Sequence, residues 1–276
     1  MSPSWRKRIV VGLAPDQVTV LRFSRGLRPA LEEAIISPVA NPEPGQWQTA
    51  VKVLTTLLGN PAWGNADVDL VMSNHFVRYA LVPGNRALKK DEERLAFAGI
   101  LFEQQYGPLS RDWELKLGNT KAAMATLASG IPRLLLTALR EGIAQQGRLR
   151  SLRPLLMNAF NIGCRALNQQ EACLAIVETG RITLAWMKND QWQNVSSRAT
   201  NVENPNALSQ LLAEDAALHG LNNSGTLLMC DLTGAAQLRP GSAWVVQPMT
   251  PPSFSSPEDV SANPSGIPLL AQWGLA

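Results

Sequence analysis

The sequence predicts an α/β protein built from two related lobes, each with the element order strand, strand, strand, helix, strand. Three observations carry this. At 276 residues the chain exceeds one ordinary domain. Hydrophobic residues make up 45% and charged residues only 17%, with Gly 20 and Pro 19, the composition of a globular chain cut into short elements by frequent turns. And one order of elements, legible near the start, returns far downstream.

The first copy opens with Ile9–Leu13, a short β-branched run ended by the turn signal Ala14-Pro15-Asp16-Gln17. Val18–Phe23 follows up to Ser24-Arg25-Gly26, then Ala30–Ser37 up to Pro38, giving an antiparallel meander. Trp47, Ala50, Val51, Leu54, Leu57 and Leu58 recur at three- and four-residue steps and predict a helix stopped by Gly59-Asn60-Pro61. Val68–Met72 closes the copy as a buried strand. In the second copy Cys173–Val177, Ile182–Met187 and Trp192–Arg198 are the three strands, separated by Glu178-Thr179-Gly180 and Lys188-Asn189-Asp190. Asn204-Pro205-Asn206 starts a helix carrying Leu208, Leu211, Leu212 and Leu218 up to Gly220, and Thr226–Cys230 is the last strand.

Between the copies, Val77, Tyr79 and Leu81 alternate with Arg78 and Ala80 up to Pro83-Gly84, a half-buried strand. Asp91-Glu92-Glu93 begins a helix where its dipole favours acid; that helix carries Leu95, Phe102 and Tyr106 to Gly107-Pro108. A strand at 113–117, a short apolar strand at 122–128, a helix over 131–145 and a strand before Pro154 complete the insertion. The Pro- and Ser-rich stretch 248–268 reads as irregular, and the apolar end Ile267–Ala276 is expected to pack back on the body. The lobes are placed at 1–160, with the inserted segment, and 161–276, with the tail.

Several functions are excluded. Lys+Arg 25 against Asp+Glu 22 gives a charge of only +3, and the one basic run, Trp5-Arg6-Lys7-Arg8, reads as a solvated arm, so no nucleic-acid partner is expected. Cys164, Cys173 and Cys230 are odd in number and widely spaced, and each lies in or beside an apolar run as a small hydrophobe. Ile9-Val10-Val11 is too short for a signal peptide, and no window approaches a membrane span, so the chain is expected to be cytoplasmic. His75 and His219 are the only histidines and have no metal-ligand spacing; no metal is expected. Neither a nucleophile elbow nor a phosphate-binding P-loop is present. The pairs Asp67/Asp69 and Glu32/Glu33 read as solvated turns and strand ends. Arg148, Arg150 and Arg153 alternate on a strand, either as an exposed face or as a patch for an acidic partner. Trp186 and Trp192 flank a hairpin turn, where a cross-strand contact is expected, while Trp63, Trp244 and Trp273 are candidates for a partner-binding surface.

The duplicated meander, helix and parallel strand resemble the actin-like (ribonuclease H-like) superfamily of sugar kinases and Hsp70 proteins. Val71-Met72-Ser73, then Phe76-Val77-Arg78-Tyr79-Ala80-Leu81-Val82-Pro83, resembles the "strand, then R-x-x-x-x-P" passage of the branch holding the type IV pilus assembly M protein and the type II secretion L protein cytoplasmic domain. The terminal Gln272-Trp273-Gly274-Leu275-Ala276 is similar to the Gly-Leu-Ala end of the pilus M protein. The resemblance implies two lobes facing a cleft, and a cytoplasmic, non-catalytic scaffold of a pilus or type II-like secretion assembly platform, peripheral to the inner membrane. Its partners would be the cytoplasmic tail of an inner-membrane protein, bound extended by strand addition in the first half, and the assembly ATPase.

Nucleotide-binding members carry Asp and Gly in the first strand turn, so that amides cradle phosphate and the carboxylate holds hydrated magnesium. In the corresponding passage here Gly12 is kept, Ala14 stands where that Asp is expected, Pro15 removes an amide, and Asp16 is shifted. The second turn keeps Glu178 and Gly180, and the adenosine passage keeps Asp231 and Gly234 but a single Gly. These six residues are the candidate cofactor-binding set, read as degenerate, so that no cofactor and no catalysis are expected. The alternative is an actin-like ATPase or small-molecule kinase holding Mg-ATP on Asp16, Glu178 and Asp231.

Overall fold

Central strands of a covered sheet are apolar on both faces, and that is how β1 is built. In the computed structural model β1 (Lys7–Leu13) is buried from Ile9 to Leu13 and lies between two neighbours. The structure describes residues 7–24, 30–42, 46–88, 90–118, 124–163, 171–189, 191–234, 238–252 and 269–275. Trp5 and Arg6 of the basic arm, Cys164, the start of the strand expected at 122–128, Asp190 and the tail residues 253–268 lie outside them.

The described residues form two units. The first comprises 1–76, 134–159 and 251–276, the second 77–133 and 160–250. This differs from the continuous lobes 1–160 and 161–276 expected from the sequence. The inserted segment groups with the second copy of the repeat, its first strand lying against the third strand of that copy, and the end of the tail packs with the first, where Ala271 joins the apolar cluster of Val10, Leu21, Phe23 and Leu31.

In the first unit β1, β2 (Gln17–Phe23) and β3 (Leu31–Pro38) form the expected antiparallel meander. α1 (Gln48–Leu58) buries Ala50, Val51, Leu54 and Leu58, and β4 (Ala66–Met72) returns parallel to β1. β5 (Arg78–Val82), α2 (Asp91–Tyr106), β6 (Trp113–Leu117) and β7 (Thr126–Pro132) come next in the chain and belong to the second unit. The chain then re-enters the first unit through α3 (Arg133–Ala144) and β8 (Gly147–Pro154), which adds parallel to β4 and completes the order β3-β2-β1-β4-β8. α4 (Leu155–Gly163) follows Pro154 directly.

Asp67 and Asp69 on β4 are buried, not solvated as expected. Arg148 donates to both oxygens of Asp67 at 3.1 Å. Arg150, Ser151 and Arg8 all donate to Asp69, Arg150 Nε at 2.8 Å and Arg8 Nε at 3.0 Å. Arg148 and Arg150 thus neutralise buried carboxylates of their own sheet, which removes them as a free patch for an acidic partner.

The second unit repeats the pattern. β9 (Ala172–Glu178), β10 (Arg181–Lys188) and β11 (Gln191–Ala199) form the meander, α5 (Ala207–His219) follows, and β12 (Gly225–Asp231) lies parallel to β9. An unexpected edge strand, β13 (Trp244–Pro248), extends the sheet to β11-β10-β9-β12-β13. The fully buried Asp215 of α5 accepts from Trp186 Nε1 at 3.3 Å and from Arg198 Nη2 at 2.6 Å, tying helix to meander. The expected Trp186–Trp192 contact does not form. A register shift after Trp186 separates the rings; Trp186 meets Trp244 at 5.5 Å, and Trp192 meets Phe160 at 4.5 Å.

The inserted elements make a three-stranded sheet of order β5-β7-β6 backed by α2. β7 begins later than expected and runs on through Ser129-Gly130 to Pro132, where the expected strand had ended at 128. A Cβ at Gly130 would come within 2.5 Å of the Phe102 ring, so glycine is what lets α2 lie this close to the strand.

Candidate functional site

Gly12 and Asp16 lie in the first unit; Glu178, Gly180, Asp231 and Gly234 lie in the second. Gly12 is paired on both sides, with Thr19 on β2 and Val71 on β4. A Cβ there would stand 2.8 Å from the Ala271 nitrogen, so α6 (Leu269–Gln272) occupies the space that the missing side chain leaves. The turn after β1 closes with the Ala14 N–H donating to the Gln17 carbonyl at 3.0 Å, and the Asp16 carbonyl accepts from Val39 at 2.8 Å. Pro15 is buried in that turn and offers no amide.

The expected residues of the second unit fall at the carboxyl ends of neighbouring parallel strands. Asp231 pairs in register with Val177, which brings it beside Glu178. Asp231 Oδ1 accepts from the backbone N–H of Thr233 at 2.8 Å and from its hydroxyl at 2.7 Å, a local turn that holds the carboxylate to its own loop. Gly180 has φ 72° and Gly234 φ 65°, both in the left-handed region that favours glycine. Glu178 is buried and faces Arg181, which is only 7% exposed. Burial, then the like charge of Arg78, depress the Arg181 pKa, while Glu178 and Tyr106 favour its cation. Arg181 Nη1 donates to Ser197 at 3.1 Å. Burial pushes the Tyr106 phenol up; its hydroxyl donates to the Tyr79 carbonyl at 2.6 Å.

This arrangement is a balanced set of charges of both signs. A magnesium–phosphate ligand needs a carboxylate open to water and loop amides free to donate. Glu178 and Asp231 are engaged within the unit, and the second turn presents Arg181 as its next residue.

Burial pushes the thiols of Cys173 and Cys230 well up, with Asp215 adding to the effect at Cys173 and Glu178 and Asp231 at Cys230. Both behave as small hydrophobes. Among the described residues no group of His, Cys, Asp and Glu could hold a metal ion, and no helix is long and apolar enough to cross a membrane. Trp63, Trp244 and Trp273, expected as partner-surface candidates, are buried in the cores of their units. The surface that sequence reasoning passed over lies between α2 and β6; its signal is the uninterrupted apolar run Leu95–Phe102.

Two sheets of matching strand order, each with a βββαβ core, define an actin-like fold. Among solved structures the chain is similar to a chain of a PilM–PilN type IV pilus biogenesis complex, with TM-score 0.65 and 12% identity over 97% of each chain. It is similar also to the cytoplasmic domain of EpsL, an inner-membrane component of the type II secretion system of Vibrio cholerae, with TM-score 0.57 and 12% identity over 98% of this chain and 93% of that one. A Bacteroides thetaiotaomicron protein of actin-like ATPase fold and unknown function matches at TM-score 0.57 and 12% identity over 82% of each chain. No family model matches the sequence, and neither does any curated protein.

Proposed function

We propose that the protein is a non-catalytic cytoplasmic scaffold of a type IV pilus or type II-like secretion assembly platform, binding the cytoplasmic tail of an inner-membrane partner. The observation that carries this reading is the end-to-end similarity to the PilM–PilN chain, 97% of each chain at TM-score 0.65. The loop chemistry supports it: Gly12 is committed to α6, Pro15 removes a donor, and Asp231 and Glu178 are engaged within their own unit. The scaffold works by holding its partner and passing conformational change between its two units, with the assembly ATPase as a second contact.

Two measurements test this. Affinity capture from detergent-solubilised membranes should return an inner-membrane protein of an envelope-assembly system; repeated recovery of none argues against the scaffold. A ligand that binds only the folded state raises its melting temperature, so Mg-ATP at millimolar concentration is expected to leave the melting temperature unchanged. A magnesium-dependent rise abolished by Asp16→Ala would favour the ATPase or kinase reading instead.

A further inference from the structure

One buried cation of the second unit stands outside its ion-pair network. Ile182, Leu184 and Trp186 of β10 pack with Leu208 and Leu212 of α5, so by alternation Arg181 and Thr183 lie on the other face of the sheet. Arg181 is 7% exposed. Among the described residues its one hydrogen bond runs from Nη1 to Ser197 Oγ, and it forms no ion pair. Its Nε is buried without an acceptor. Arg198, on the α5 face of the neighbouring strand, shows the contrast, pairing with both Glu214 and Asp215. A buried charge is ordinarily paired, because its desolvation is otherwise uncompensated.

The local geometry fixes which edge of this guanidinium is unspent. Ser197 stands opposite Thr183 in the β10–β11 register, and the two hydroxyls share a hydrogen bond of 2.8 Å. That pair holds Nη1 and leaves the Nε–Nη2 edge, whose parallel N–H groups suit the two oxygens of an oxyanion. A second guanidinium stands near. β5 lies against β11 and begins at Arg78, whose Nη1 donates to the Val77 carbonyl at 3.1 Å. Tyr106 closes the seam, its hydroxyl held by the Tyr79 carbonyl. The charge of Arg78 is felt at both Arg181 and Tyr106, depressing the pKa of the first and opposing the rise of the second. Glu178 favours the Arg181 cation across the β9–β10 turn without pairing with it. With Asp231 held to its own loop by Thr233, the seam keeps two guanidinium groups to one carboxylate. Arg78 and Tyr106 are half-buried, so the seam reaches solvent on their side.

We propose that the seam between the inserted sheet and the second meander binds a small oxyanion, a phosphate or a carboxylate, clasped by the Nε–Nη2 edge of Arg181 and by Arg78 without a metal. Its donors are side-chain cations on the sheet face turned to β5, not the loop amides expected of a phosphate turn at Gly12 or Gly180. Binding supplies the buried nitrogens with acceptors and cancels the repulsion between the two guanidinium groups. A bound ion thus fastens the inserted segment to the second copy of the repeat, and its release loosens that seam. The site stands or falls independently of the scaffold role.

The test is calorimetric titration of the full chain with sodium phosphate and, separately, sodium acetate, in chloride of matched ionic strength with a chelator present. At least one ion is expected to saturate. At about ten times its dissociation constant it should slow exchange of β5 and β11 amides about tenfold. Phosphate alone makes the site one for a tetrahedral oxyanion and acetate alone one for a carboxylate; either supports the clasp. Affinity should fall roughly tenfold or more in Arg181→Lys, which keeps the charge and loses the paired edge. It should fall similarly in Arg78→Gln, a half-buried position whose fold is checked by circular dichroism. Affinity unchanged in both variants overturns the site, as does saturation by neither ion. A phosphate effect that requires magnesium overturns it too, since it then belongs to the nucleotide turns. So does a rise in melting temperature shared equally by wild type and both variants, which is the general action of a kosmotropic salt.

Discussion

Replacing Trp273 by alanine tests how the first unit is held together. Trp273 is 1% exposed, and its carbonyl accepts from Asn158 Nδ2 at 3.1 Å. On the same segment Gly274 lies so close to the sheet that a Cβ would stand 2.4 Å from Val10 Cγ1 and 2.8 Å from Val71 Cγ2. A tryptophan side chain buries about 150–250 Å², which at roughly 25 cal/mol per Å² is about 4–6 kcal/mol as an upper bound. Alanine keeps part of that area, and large-to-small aromatic changes in cores cost about 3–5 kcal/mol. The loss should be read in native-state hydrogen exchange of β1 and β4 amides, which reports the stability of this unit. Gly12→Ala, whose new methyl would press on the Ala271 backbone, should cost about 1–3 kcal/mol at the same amides. In the double variant the two costs should sum to less than their total, since a released α6 no longer meets the added methyl. A Trp273→Ala loss below about 1 kcal/mol, or full additivity with Gly12→Ala, would refute the seating of this segment on β1.

Burial alone would raise the Asp69 pKa, but Arg150, Ser151 and Arg8 outweigh it and hold the carboxyl below its ordinary value. Its stabilisation is therefore full above the unfolded pKa, near 3.9, and is lost as pH falls through the folded value. Asp69→Asn should cost about 1.5–3 kcal/mol at pH 7, less than a wholly buried pair because Arg150 and Arg8 reach water; in urea titrations the gap from wild type should shrink below pH 4. Asp215→Ala should cost the second unit about 3–5 kcal/mol, since it strips Trp186 and Arg198 of a buried acceptor; a change under 1 kcal/mol in the exchange of β10 and β11 amides would contradict this. Gly130→Ala should destabilise the inserted sheet by about 1–3 kcal/mol, read in β7 amide protection, because Phe102 and Leu115 occupy the space a methyl needs. Cys173 and Cys230 should resist a thiol reagent until the protein is denatured.

Both five-element cores could be read from the chain because each strand is short and bounded by turn residues. Local chemistry also showed that the apolar end would pack back. Where it packs was not local: Gly12 reads as half of a phosphate turn until Ala271 is seen against it. For the same reason Asp67 and Asp69 passed for solvated acids, Arg148 and Arg150 lying 81 residues downstream of them. β13 was missed because its five residues, Trp244–Pro248, ended by a proline, carry little pattern. The Leu95–Phe102 run did hold the signature of the surface between α2 and β6, but periodicity alone does not say which face of an all-apolar helix is left bare.

The seating of residues 269–275 has a bearing on biosynthesis. Domains are usually completed in the order in which they emerge from the ribosome. Here every residue of the second unit has been translated by position 250, while the first unit still awaits its closing segment. The half that starts first is thus the last to be finished, and until then Val10 and Gly12 present a naked strip to any chaperone at hand.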